Sequence, residues 1–196
     1  MLTLHCTRKL LKHLHAVIRA DSVRPTTCLG DWYANLLFTE RLRLVICVSE
    51  RSLLPVFVAA KDPASFVPRF QAAVQSVLRC IGVPPESVDH EAREMAKVRT
   101  GASANPSVLG SLNDLAFLSR AVIDEQPEID LTMLAMEVAE TPCAPLKYES
   151  PRSVSLSLLR GEGTVRDCDD FGGFNELSLC AAVTPKKGAA THAHIS

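Results

Sequence analysis

The spacing of apolar residues changes character several times along this chain, and each change marks a boundary. LTLHC (2–6) is short and alternating, as a strand requires. Thr7 can then cap a helix over 8–19, with Leu10, Leu11, Leu14, Val17 and Ile18 on one stripe. Its opposite face carries Arg8, Lys9, Lys12, His13 and Arg19. A loop with Pro25 and Gly30 leads to DWYANLLF (31–38), where Trp32, Ala34, Leu36 and Phe38 alternate with Asp31, Tyr33, Asn35 and Leu37. TERL turns the chain into RLRLVICVS, and SERS turns it again into LLPVFVAA. Three such runs joined by tight polar turns predict an antiparallel meander. Pro55 has no N–H to donate to a ladder, so the third strand is expected at an edge or at a bulge.

After Asp62-Pro63 the period becomes helical. Phe66, Phe70, Val74, Val77, Leu78 and Ile81 share one stripe, ended by Gly82 and Pro84-Pro85. Pro85 opens a mostly charged, exposed helix, PESVDHEAREMAKV, and the small-residue loop TGASA follows it. NPSVLGSLNDLAFL begins a further helix that runs to about Gln126. Another helix spans 130–140 until Pro142 and Pro145 break it, and SVSLSLLR adds one short element. From Gly161 no sustained period remains. Residues 161–196 are therefore expected to be a poorly ordered extension, with LSLCAAV as a possible short element, beyond a single domain at 1–160.

These elements predict an α+β fold: a short N-terminal strand, a helix, a three-stranded antiparallel meander, and a helical C-terminal half covering one sheet face. Composition agrees, since 47% of the 196 residues are hydrophobic and 22% charged. A net charge of −1 provides no global field for nucleic acid or an anionic membrane. Charges interrupt every apolar run well short of a bilayer span. Seven cysteines at 6, 28, 47, 80, 143, 168 and 180 are odd in number, widely spaced and without a CxxC pair. That pattern points to reduced core cysteines and a cytoplasmic setting rather than to zinc or disulfides.

Candidate chemistry is sparse. Gly110, Asn113 and Phe117 fall on one face of the 105–126 helix, with Asp114 beside them. Glycine inside a helix costs about 1 kcal/mol relative to alanine, so close approach of another backbone is the expected compensation. Asn105 or Ser107 can cap this helix, and its start is a candidate anion site through Ser107, although no phosphate-loop ending is present. GDWYAN puts Asp31, Tyr33 and Asn35 on the face opposite Trp32, where they form a potential pocket wall. The basic residues Arg8, Lys9, Lys12 and Arg19 are candidates for nucleic-acid contact, without interleaved aromatics to strengthen them. His90-Glu91 begins a zinc-protease motif but lacks its second histidine, and His5 beside Cys6 points to the other face of its strand. No catalytic residue, metal site or cofactor is expected.

CTRKLLKHL (6–14), LGDWYANLLF (29–38) with LVICVSERSLLPV (44–56), and NPSVLGSLNDLAF (105–117) together resemble an uncharacterised bacterial family. Its members carry CTKKLL, GDWYANL and NRSVLGSMNDF motifs in that order. Here Pro106 stands where the family has arginine and Leu112 where it has methionine. The resemblance implies a domain over roughly residues 1–150 and no known activity.

The reading favoured on these grounds is a binding or regulatory module with a protein partner, docking at the edge near Pro55 or on the 85–98 helix. One alternative is a small enzyme or ligand-binding protein with a pocket between the meander and the 105–118 helix, lined by Asp31, Tyr33, Asn35, Ser107, Asn113 and Asp114. Another is nucleic-acid contact through the basic 8–24 segment.

Overall fold

The computed structural model describes residues 1–18, 24–103, 105–126 and 128–161. The chain divides after Glu162, and the expectations for the C-terminal extension, LSLCAAV among them, lie outside the described residues.

Five strands form one mixed sheet in the order β4-β3-β2-β1-β5. They are β1 (Leu2–Cys6), β2 (Trp32–Phe38), β3 (Arg43–Ser49), β4 (Pro55–Ala59) and β5 (Val98–Ala102). The meander β2-β3-β4 is antiparallel, whereas β1 pairs in parallel with β2 on one side and β5 on the other. Parallel neighbours need a crossover connection. Here α1 (Arg8–Leu14) lies in the β1–β2 crossover, while β5 arrives from far along the chain. Pro55 begins β4, which is an edge strand, as its missing N–H requires.

Alternation assigns the two faces. Leu2, Leu4 and Cys6 are buried on β1, and the register sets Leu4 beside Trp32 and Cys6 beside Ala34. Trp32 meets Phe70 of α2 (Phe66–Cys80) edge to face at 5.2 Å. Strand β3 is buried without interruption from Leu44 to Ser49, so both faces of the sheet centre are covered rather than the one expected. Helix α4 (Pro106–Glu125) lies against β2 and β3 with Leu112 and Leu115 fully buried, and α5 (Leu131–Ala139) lies against β4. A buried chain of hydroxyls, Ser49 to Ser52 at 2.7 Å and Ser52 to Ser155 at 2.8 Å, fastens α6 (Pro151–Arg160) to the β3–β4 turn.

Three expectations need correction. Helix α1 stops at Leu14 instead of 19, because His15 turns left-handed (φ 50°) and the Ala16 amide returns to the Leu11 carbonyl at 3.1 Å. Val17 and Ile18 are consequently exposed rather than part of a buried stripe. Thr7 precedes the helix, yet its hydroxyl donates to Asn35 Oδ1 at 2.8 Å instead of capping. The charged helix α3 (Pro85–Glu94) ends four residues early, and Val98–Ala102, read as helix end and loop, forms β5.

Helix α3 also holds a buried polar anchor. Glu91 is fully buried, and its carboxylate accepts the amides of Cys28 at 2.7 Å and Leu29 at 3.2 Å. Burial pushes its pKa up, against the pull of those two amides. The glutamate of the incomplete zinc-protease motif therefore clamps the loop that feeds β2. We expect Glu91→Ala to lower the unfolding free energy by about 3 kcal/mol, since two buried amides lose a charged acceptor. A denaturant titration in which the variant unfolds together with the wild-type chain refutes this.

Candidate functional site

Two places in the described residues concentrate chemistry. The first begins at Gly30, held left-handed (φ 77°) in the turn before β2. A side chain there would press on the Arg51 Cγ at 3.1 Å, so glycine is required twice over. The turn delivers Asp31 to the edge of β1. Its Oδ1 accepts the Thr3 amide at 2.7 Å, and its Oδ2 faces His5 Nε2 at 3.3 Å. His5 Nδ1 lies 3.1 Å from the carbonyl oxygen of Ala102 on β5. The imidazole stacks on the Tyr33 ring at a centroid distance of 4.7 Å. Beneath it Gly101 makes room for the ring, since a Cβ there would sit 3.1 Å from Thr3 Cγ2 and 3.3 Å from His5 Nδ1 and push on both.

Both ring nitrogens of His5 thus face acceptors. A neutral imidazole donates from only one, so the geometry favours the doubly protonated cation. Burial opposes that charge, but the bonds to Asp31 and to the Ala102 carbonyl, with the charges of Asp31 and Glu50, outweigh it and raise the pKa above the ordinary 6.5. Glu50 donates its amide to the Asp31 carbonyl at 2.8 Å. Burial, and secondly the neighbouring Asp31 charge, push the Glu50 carboxyl up. Burial likewise raises the Tyr33 phenol, helped by Glu50 and Asp31, so it stays protonated at neutral pH. A histidine whose two ring nitrogens both face acceptors is placed to donate from each rather than to take up a substrate proton. Among the described residues no group of three His, Cys, Asp or Glu side chains is placed to hold a metal ion.

The second place is an open groove of about 440 Å³ between the first half of α4 and the segment Thr141–Pro145. Ser107, Gly110, Ser111, Asp114, Leu115 and Leu118 form one wall, and Pro142, Cys143 and Ala144 belong to the other. The thiol of Cys143 is raised by burial and by the Asp114 charge. Phe117, next to the groove on α4, is 69% exposed.

A family model matches residues 3–154, which span both places. The chain belongs to the DUF6933 family, a domain of unknown function. No curated protein matches it. Within this DUF6933 domain no helix of the described residues is long and apolar enough to cross a membrane.

The structure divides the ligand residues expected from the sequence. Asp31 and Tyr33 meet at the histidine cluster, and Asn35 receives the Thr7 hydroxyl. Ser107 and Asp114 line the groove, which none of the three residues at 31, 33 and 35 reaches, and Asn113 is exposed outside it. Arg8, Lys9 and Lys12 are exposed on α1, while Arg19 lies outside the described residues. The expected tight approach at Gly110 is absent: a Cβ there would meet nothing within 4 Å. Asp114 is not in the first turn of α4 either, whose start is capped by Asn105 accepting the amides of Ser107 and Val108.

His5, Glu50, Gly101 and Thr141–Pro145 were missed. Alternation in LTLHC already set Thr3 and His5 against Leu2, Leu4 and Cys6, but the strand that receives His5 was not foreseen. In a proton NMR titration the His5 ring is expected to titrate above 6.5, and Asp31→Asn to bring its midpoint down. An unchanged midpoint in the variant contradicts the assignment of Asp31 as partner.

Proposed function

We propose that this DUF6933 domain is a protein-binding module that receives an apolar segment of its partner in the groove beside α4. The occupant is an apolar stretch carrying a lysine or arginine, placed to meet Asp114. Gly110 is the observation that carries the reading. A glycine inside a helix costs about 1 kcal/mol, normally offset by the close approach it permits. Nothing approaches Gly110, so its missing side chain serves only to leave space in the groove wall.

The lining supports the same partner chemistry. Leu115, Leu118, Pro142, Ala144 and Pro145 offer apolar contact, while Ser107, Ser111 and Asp114 add a few polar groups. That mixture, at about 440 Å³, suits a pair of inserted side chains. Phe117, exposed beside the groove, extends the apolar surface an incoming segment covers. The surfaces favoured from the sequence fit less well. The side chains of β4 are buried from Pro55 to Val58, with α2 and α5 against the strand, and α3 turns Val88 and Glu91 inward.

The test uses peptides selected by display against the intact chain. Basic apolar sequences are expected to be enriched. Gly110→Leu, which fills the groove while raising helix propensity by about 0.8 kcal/mol, should weaken their binding at least tenfold without lowering the melting temperature. Asp114→Lys should turn the selection toward acidic sequences. Peptides that bind the Gly110→Leu chain as tightly as the wild type, or a selection that enriches nothing, would sink the proposal.

A further inference from the structure

We propose that the proton on His5 is a latch fastening the edge strand β5 to β1 and β2, so that β5 and its junction into α4 loosen as pH rises past the titration of His5. The inference stands on geometry. One ring joins three strands: it belongs to β1, bonds the Ala102 carbonyl on β5, faces the Asp31 carboxylate at the start of β2, and stacks on Tyr33 within β2. Asp31 closes the circuit by accepting the Thr3 amide of β1.

Removing the proton breaks this arrangement whichever tautomer remains. With the hydrogen on Nδ1, the bond to Ala102 survives but the Nε2 lone pair turns on a carboxylate. With the hydrogen on Nε2, Asp31 keeps its partner but a lone pair faces the Ala102 carbonyl. Rotating the ring by half a turn sets Cδ2 and Cε1 where Nδ1 and Nε2 stood, so neither acceptor keeps its N–H partner.

Strand β5 is where such a loss tells. It bonds only β1, and Val98, Arg99 and Thr100 are half-buried with Ala102 exposed. Other polar ties near it include the Thr100 hydroxyl to the Val17 carbonyl at 2.9 Å, the Ser103 amide to the Cys6 carbonyl at 3.2 Å, and the Ser103 hydroxyl to the His5 carbonyl at 3.2 Å. Weakly buried edges open locally before the core does. Asn105, which caps α4, follows two residues after Ser103, so the junction is next to respond.

The charged groups around the ring are of both signs, and the negative ones are those that act on it. Asp31 and Glu50 supply negative charge from the turn before β2 and the end of β3, and Arg51 lies beside Glu50. The phenol of Tyr33 is neutral. From β5 the ring meets Gly101 and the Ala102 carbonyl, and Arg99 stands two positions back on the same face. The pKa of His5 is raised on folding, so its contribution is fully present below 6.5 and disappears as pH climbs through the higher folded value.

Hydrogen exchange of the intact chain tests the latch. Protection factors, corrected for intrinsic exchange, are compared for β5 amides and for Val45–Val48 of β3 from pH 6 to 9. The β5-to-β3 ratio is expected to fall roughly tenfold for each unit by which folding raises the His5 pKa, starting near 6.5 and levelling off above the midpoint of the His5 ring signals. In His5→Phe, which keeps the stack on Tyr33, the ratio should start low and stay flat. A ratio that is constant with pH in the wild type, that falls outside this window, or that falls equally in His5→Phe overturns the proposal. The first two outcomes need only the wild-type chain, so a variant that fails to fold leaves the test decisive.

Discussion

Everything in this domain rests on the first strand being bonded along both edges. β1 is only five residues long, yet it is the one strand that pairs in parallel on either side. Parallel pairing excludes a short hairpin, so one neighbour arrives over a crossover that contains α1 and the other from beyond α3. The strand's alternation then does two things at once. Leu2, Leu4 and Cys6 enter the core beside Trp32, while Thr3 and His5 are carried to the opposite face, where Asp31 waits on one side and β5 on the other. A slip of one residue would exchange these roles and put His5 in the core.

Local signals explain which elements were legible. The meander could be read because period-two alternation and short polar turns are properties of neighbouring residues, and the same holds for the stripe of α2 from Phe66 to Leu78. β5 could not. Its sequence, VRTGA, has no strong apolar alternation, and only Gly101 within it is buried. The strand exists because β1 offers an open ladder edge, a fact set by the rest of the fold. Helix α1 shows the converse: its apolar stripe continues past Leu14, but His15 adopts a left-handed conformation and the chain leaves the helix. Period alone records an opportunity for helix, not its end.

The polar residues were harder still, because a carboxylate's role depends on what surrounds it. Glu91 sits in the most charged helix of the chain, a context that reads as solvent-facing, and is nevertheless fully buried with two backbone amides as partners. Alternation sets Asp31 on the face opposite Trp32, but its partners come from β1 and, through His5, from β5. Cys6 behaves as the alternation suggests: it is buried, and its thiol is pushed up to about 12 by that burial, which makes it packing rather than a nucleophile.

Two glycines show why residue type alone misleads. Gly101 and Gly110 both interrupt regular elements, and both carry the entropic and propensity penalty of that position. At Gly101 the space is taken, by Thr3 and by the ring of His5, so a Cβ would crowd both side chains. At Gly110 the space is empty, and a Cβ would touch nothing. The first penalty is offset within the fold by letting His5 reach the Ala102 carbonyl. The second has no offset among the described residues, and it falls on the wall of an open groove flanked by an exposed phenylalanine. A helix that forgoes about 1 kcal/mol without gaining a contact inside its own fold is accounted for when the contact lies in another molecule, and that asymmetry is the physical ground on which the proposed binding surface is put at α4 rather than at the histidine cluster.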